Sequence, residues 1–235
     1  FNSETTIQST LESVKSQTFS EFEYILIDGG STDNTLTIAK KSPRLSKIIS
    51  EPDKGIYEAL NKGIQNASGD IIGFLNSDDI FFNEQSLQNI HEAFDSEVDC
   101  VFGDLVYTND QNQIKRKWKG SPFKKKSFQK GWMPAHPTFY CRRSIYEKFG
   151  LYNENYKIAG DFELMLRFFE KHQVKSRYIP RTLVNMKIGG VSNRNLKNKF
   201  IILEEELEAF KVNKIPLNKA LYILHKLKKF REFKV

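Results

Sequence analysis

The stretch Ala67-Ser68-Gly69-Asp70-Ile71-Ile72-Gly73-Phe74-Leu75-Asn76-Ser77-Asp78-Asp79 constrains this chain more than any other. Ile71 to Leu75 is a short apolar run with a turn signal on each side, the pattern of a buried central strand. Asp78 and Asp79 fall just past its carboxyl end. In an open α/β sheet that is where ligands bind, in the crevice outside the strand ends. Two like charges there repel each other and resist desolvation unless something positive neutralises them. A hard divalent cation held by oxygen ligands, Mn²⁺ or Mg²⁺, does this and in turn holds substrate phosphates. Taken alone, an Asp-Asp pair reads first as a polar turn capping the next segment. The rest of the chain decides between the two.

Apolar runs and helical stripes alternate before this strand. Ile7, Leu11 and Val14 mark a helix over 4–17, and Glu23 to Ile27 is a strand ending at Asp28. Gly29-Gly30 turns into a helix over 35–41, followed by a strand over 47–50 and a helix over 56–65. This alternation predicts an α/β fold with right-handed crossovers and a mostly parallel central sheet flanked by helices. Beyond Asp79 the pattern gives a helix over 85–94, a strand over 99–103 and a hairpin of 105–107 with 114–118. A strand over 138–141, helices over 144–149 and 161–171, and a last strand over 177–180 follow. Helices over 201–210 and 217–233 close the chain.

The 235 residues, 39% apolar and 28% charged, suffice for one full core with a small appendage. No apolar run approaches the roughly 18 residues that cross a bilayer. Cys100 and Cys141 offer neither a disulfide framework nor metal-ligand spacing, so reduced thiols and a cytoplasmic setting are expected. The net charge of +7 comes from two clusters, Lys115 to Lys130 and the C-terminal tail. Neither carries zinc-finger spacing or an RNP-like aromatic motif, so nucleic acid is not the expected partner. Anionic lipid or phosphate fits the charge better.

Several motifs now stand in order. Phe1-Asn2 leads into a helix, Asp28-Gly29-Gly30-Ser31-Thr32-Asp33 ends a strand, and Asp53-Lys54-Gly55-Ile56-Tyr57 leads to Asn61-Lys62-Gly63. Asn76-Ser77-Asp78-Asp79 and Gly160-Asp161-Phe162-Glu163-Leu164 come later. Over residues 1–195 the set closely resembles the inverting family 2 glycosyltransferases of the GT-A fold, in particular bacterial enzymes that build surface polysaccharides. The resemblance implies a glycosyltransferase domain over 1–195, with a first strand ahead of Phe1, and a C-terminal helical extension over 196–235. Its chemistry would be in-line attack of an acceptor hydroxyl on a nucleotide-diphosphate sugar, a UDP-sugar first of all. The acceptor would be a glycan or a polyprenyl-linked carrier.

Residue by residue, the resemblance makes Asp79 and Asp78 the metal and ribose carboxylates, for Mn²⁺ or Mg²⁺. Asn76 stands where the family often has Asp, fit to hydrogen-bond the nucleotide. Asp28 matches the carboxylate that accepts from the base, and Phe1 lies on the same nucleotide side. Lys54-Gly55, before a helix N-terminus, suits a diphosphate, and Asn61 is expected to face the donor. Asp161 matches the catalytic base, a carboxylate able to take the acceptor's proton. His136 matches a position near the acceptor. Gly189-Gly190-Val191-Ser192 resembles a loop closing over the donor. Each has a plainer alternative: a turn Asp at 28, a surface lysine at 54, a local polar contact at 61, a helix cap at 161, a packed histidine at 136 and an ordinary turn at 189–192.

Leu217, Leu221, Leu224, Leu227 and Phe230 recur at helical spacing among Lys219, Lys226, Lys228, Lys229 and Arg231. Such a basic amphipathic helix suits peripheral contact with the inner face of the cell membrane. Two competitors stay open. A nucleotidyltransferase would need a glycine-rich phosphate loop after a first strand, and none follows Asn2. An inactive sugar-nucleotide binder has only Asn76 in its favour.

Overall fold

Two long parallel strands form the spine of the molecule: β5 (Cys100–Thr108) and β8 (Ser176–Lys187). The structure is a computed structural model that describes residues 1–109, 111, 113–188 and 196–232. Before the spine come α1 (Ile7–Lys15), β1 (Ile25–Asp28), α2 (Thr35–Ala39), β2 (Lys47–Ser50) and α3 (Ile56–Asn66). Then β3 (Ile71–Gly73), β4 (Ile80–Phe81) and α4 (Ser86–Glu92) lead into β5. β6 (Ile114–Trp118), β7 (Tyr140–Arg142), α5 (Arg143–Phe149) and α6 (Gly160–Leu166) precede β8, and α7 (Leu196–Val212) and α8 (Lys219–Glu232) follow it.

The α/β architecture is as the alternation predicts, with one correction: the sheet is mixed. β1–β2 and β5–β8 pair in parallel, whereas β3–β7, β5–β7, β5–β6 and β4–β8 are antiparallel. The six-stranded sheet runs β3-β7-β5-β8-β4, with β6 also on β5. The physical reason is the connections. β6 returns by a hairpin, and β7 is entered from a short 3₁₀ turn at His136–Thr138 rather than from a crossover helix.

Pro180 does not end β8, as its missing N–H suggests it should. The ladder steps instead from Gly103↔Ile179 to Asp104↔Thr182, so the proline sits in a bulge where no donor is required. Gly103 is needed there, because a Cβ would lie 2.6 Å from the Leu183 side chain. β3 stops at Gly73, two residues short of the apolar run, and a Cβ on Gly73 would overlap the Tyr140 ring.

Aromatic side chains fill the main core. Phe102, Phe128, Phe168 and Phe169 are wholly buried, and Ala209, Phe210 and Tyr222 from α7 and α8 are buried in the same cluster. Glu206 on α7 accepts from the Tyr222 hydroxyl at 2.8 Å and from Lys226 at 2.6 Å, fixing α8 to α7. The C-terminal helices therefore share one core with the strands.

Candidate active site

Asn76 to Asp79 form the turn from β3 into β4, closed by the Asp79 N–H on the Asn76 carbonyl at 3.1 Å. Asp79 is completely buried. Its backbone carbonyl accepts from Thr10 on α1 at 2.8 Å, and its Oδ2 accepts from the Asn76 amide at 3.0 Å. Its Oδ1 has no partner among the described residues. Burial, and then the charge of Asp78, push the carboxyl up to about 7, and the hydrogen bond from Asn76 offsets this only in part. A buried acceptor left unmet is costly. An oxygen of this kind can accept a donor or a cation.

At the end of β1, Asp28 is buried too but fully engaged. It accepts from the Ser31 N–H at 2.9 Å, from the Ser50 hydroxyl at 2.7 Å and from the Ser31 hydroxyl. Burial would raise its carboxyl, and these hydrogen bonds outweigh it, leaving Asp28 below the usual carboxylate range. The N-terminal segment is laced onto this loop: Asn2 N–H meets Ser31 Oγ at 2.8 Å, and Thr32 N–H meets Asn2 Oδ1 at 2.9 Å. Phe1 itself is 69% exposed.

Contacts run on in both directions. Ser3 Oγ lies 2.7 Å from Ser77 Oγ, tying the N-terminal segment to the Asp78-Asp79 turn. On the other side Gly29 lets Asp53 approach so closely that a Cβ would lie 2.6 Å from its carboxylate. Lys54 follows, exposed at the start of α3, with its N–H on Glu58 at 2.6 Å. Lys54, Gly55 and Tyr57 line a pocket of about 360 Å³ with Tyr156 and Lys157. The Tyr57 hydroxyl accepts from Gly160 N–H at 2.8 Å. Next to Gly160, Asp161 opens α6 and places Oδ2 3.2 Å from His136 Nδ1. Its Oδ1 accepts from the Phe162 N–H at 2.8 Å, and its side chain keeps 20% exposure.

Ser77, Ser3, Asn2 and Ser31 thus link the Asn76–Asp79 turn to the Asp28 loop, and Tyr57 on α3 links to Gly160, the neighbour of Asp161 with its partner His136. Asn61 is engaged elsewhere. Buried in α3, it donates to the Tyr152 carbonyl at 3.0 Å and to Glu154 at 2.8 Å, and accepts from Tyr152 N–H at 2.9 Å. Both of its N–H groups hold the loop after α5, the plainer of its two readings. Gly189-Gly190-Val191-Ser192 lies outside the described residues. Sequence reasoning passed over Tyr57, whose position beside Lys54-Gly55 was a usable signal. It also passed over Glu205, which accepts three backbone N–H groups ahead of Asp161. Nothing in the run Glu204-Glu205-Glu206 sets that residue apart.

An α/β sheet of this topology, with a carboxylate at the end of β1, two more in the turn between β3 and β4 and another in the first turn of α6, is similar to the architecture of GT-A glycosyltransferases. The chain belongs to the glycosyl transferase family 2, whose model matches residues 1–153, and it is a glycosyltransferase. It is 29% identical over 204 residues to a PGL/p-HBAD biosynthesis glycosyltransferase of Mycobacterium bovis, covering 83% of this chain and 77% of that one. It is 26% identical over 226 residues to the chondroitin synthase of Pasteurella multocida, covering 91% of this chain and 23% of the synthase. Its fold is similar to that of S. aureus TarS 1–349 in complex with UDP-GlcNAc, with a TM-score of 0.70 and 19% identity over 94% of this chain. The mannosyltransferase of Pyrobaculum calidifontis, in complex with GDP-Man and Mn²⁺, gives 0.61 and 16% over 92% of this chain and 65% of that one. The chain spans 63% to 70% of the length of the TarS 1–349 structures.

Proposed function

We propose that this glycosyltransferase moves a sugar, with inversion, from a nucleotide-diphosphate sugar to a hydroxyl of a glycan or polyprenyl-linked acceptor in surface-polysaccharide synthesis. The observation that carries this reading is Asp79, completely buried with one carboxylate oxygen that has no partner among the described residues.

The residues divide the work. Asp28, held ionised by Ser31 and Ser50, accepts from the base of the nucleotide. Lys54 and the N-terminus of α3 face the diphosphate. Asp161 takes the acceptor hydroxyl's proton as that oxygen bonds to the anomeric carbon, while the bond from that carbon to the diphosphate breaks and its electron pair leaves with the nucleotide. His136, with Nδ1 3.2 Å from Asp161 Oδ2, keeps Asp161 oriented.

The donor set at 78–79 fits a hard cation, because Asp79 Oδ1 is a buried carboxylate oxygen without a partner among the described residues. No cluster of three His, Cys, Asp or Glu side chains is found among the described residues, so Asp78 and Asp79 would share Mn²⁺ or Mg²⁺ with the donor's own phosphates. Such a cation, when bound, offsets the charge gathering on the leaving diphosphate. TarS holds UDP-GlcNAc in its complex, which favours a uridine nucleotide.

The setting is the cytoplasm, with peripheral contact at the inner face of the membrane. No helix among the described residues is long and apolar enough to cross a membrane. α8 buries Tyr222 and leaves Leu221, Leu224 and Leu227 about half exposed, an apolar stripe beside Lys219 and Lys228 that suits an interfacial helix.

A thermal-shift screen of UDP- and GDP-sugars, with and without Mn²⁺, tests the reading. A donor at 100 times its dissociation constant stabilises the fold by about 2.7 kcal/mol, and that stabilisation is expected to need the metal. A chain that no nucleotide sugar stabilises under either condition overturns it.

A further inference from the structure

The backbone that carries Asp161 is gripped from two sides, and one grip comes from beyond the residues that the family model matches. From α7, Glu205 Oε1 accepts from Lys157 N–H at 2.7 Å. Its Oε2 accepts from Ile158 N–H at 3.0 Å and from Ala159 N–H at 2.7 Å. From α3, the Tyr57 hydroxyl accepts from Gly160 N–H at 2.8 Å and donates to the Ile158 carbonyl at 2.5 Å. Every N–H from Lys157 to Gly160 is thereby taken by one of these two side chains. Gly160 has no room for a side chain, since a Cβ would lie 2.7 Å from the Tyr57 ring.

The N–H groups that open a helix have no intrahelical partners. One acceptor is enough to cap such an end. Three N–H groups converging on a single carboxylate, with a fourth on Tyr57, leave the peptide planes just before Asp161 no freedom to turn. We infer that Glu205 is a positioning residue for Asp161. It touches none of the reacting atoms and acts by holding the backbone that points Asp161 at His136 and at the acceptor. The inference rests on Asp161 being the base.

Glutamine cannot replace this carboxylate. Its amide has one acceptor oxygen and an NH₂ that would face the same donors. Aspartate keeps the charge on a shorter arm. The variants Glu205→Gln and Glu205→Asp, made in the wild-type and Asp161→Asn backgrounds, therefore test the assignment. Backbone amide exchange reads the loop, UDP titration reads donor-side binding, and UDP release from UDP-N-acetylglucosamine reads turnover.

In E205Q, exchange at 157–159 is expected to rise at least about tenfold, because an opened loop exchanges from a locally unfolded state. Turnover should fall roughly ten- to a hundredfold, the scale of a misplacement of about 1 Å. UDP affinity should stay within about twofold, and E205D should recover part of both losses. In the D161N background E205Q should slow turnover no further, since the group it positions is already gone. Unchanged exchange, an equal proportional loss in both backgrounds, or a loss that follows UDP affinity overturns the inference. Wild-type turnover in D161N alone removes the base assignment instead, and the exchange data still report whether Glu205 holds the loop.

Discussion

The two ends of the crevice are built on opposite terms. Asp79 is buried, its carboxyl is pushed up to about 7, and one oxygen lacks a partner among the described residues. Asp161 is partly open to solvent, and every N–H in the segment before it is matched. One end is electrostatically unfinished among the described residues. The other is mechanically finished, and as the proposed base Asp161 would meet its acceptor without having to search for its own conformation.

The largest expected effect breaks the finished end. Asp161→Asn keeps the shape and an oxygen for the Phe162 N–H but removes the basic carboxylate. Single-turnover transfer should fall by about 10² to 10⁴, with donor affinity within a few-fold. Near-normal transfer would remove Asp161 from the mechanism and leave it a residue of the first turn of α6, whose N-cap is Ala159.

The next effect sharpens the unfinished end. Asp79 holds its proton to about 7 in the folded chain, against an ordinary value of 3.8. The folded state therefore binds the proton more tightly than the unfolded one. In metal-free buffer this contribution is fully present below about pH 4 and is lost as pH rises through 7, by on the order of 4 kcal/mol at most. Denaturant melts in EDTA between pH 4.5 and 7.5 should show that slope, and Asp79→Asn should flatten it. Parallel slopes in the two chains would show that Asp79 is not the group responsible.

Tyr57→Phe is expected to cost about 1–3 kcal/mol, because it strands the buried Gly160 N–H and removes the donor to the Ile158 carbonyl. A mutant as stable as wild type would show that this hydroxyl is not one of the two grips. The smallest effect is a control outside the crevice. Asp95 and Arg177 form an ion pair at 2.6 Å with both side chains more than 40% exposed, so Asp95→Asn should change stability by under about 1 kcal/mol.

What the sequence made legible follows from how local each signal is. Asp28 and Asp79 could be placed because apolar runs end beside them, and a strand end needs no knowledge of distant partners. The mixed sheet could not be read: the antiparallel entry of β7 depends on the turn at His136–Thr138, whose buried Thr138 hydroxyl bonds to β5 at Gly103. β8 was cut short at Pro180 because a bulge is a property of two strands, not of one. Asn61 and Glu205 hold loops 91 and about 47 residues away in sequence. In the sequence such residues look like any polar position on a helix.

The aromatic core has a practical consequence. Trp132 packs 5.4 Å from Phe128 and 5.8 Å from Phe102, ring centre to ring centre, and Phe128 in turn lies 5.4 Å from Phe162, the neighbour of Asp161. Its indole N–H reaches Ser121 at 2.9 Å, so one edge of the ring is tied to a polar loop while its face follows the core. Any shift of the start of α6 is passed through two rings to a fluorophore. Trp118, on β6, is the second tryptophan of the chain, and replacing it with phenylalanine would leave Trp132 emission as a built-in optical gauge of the Asp161 loop.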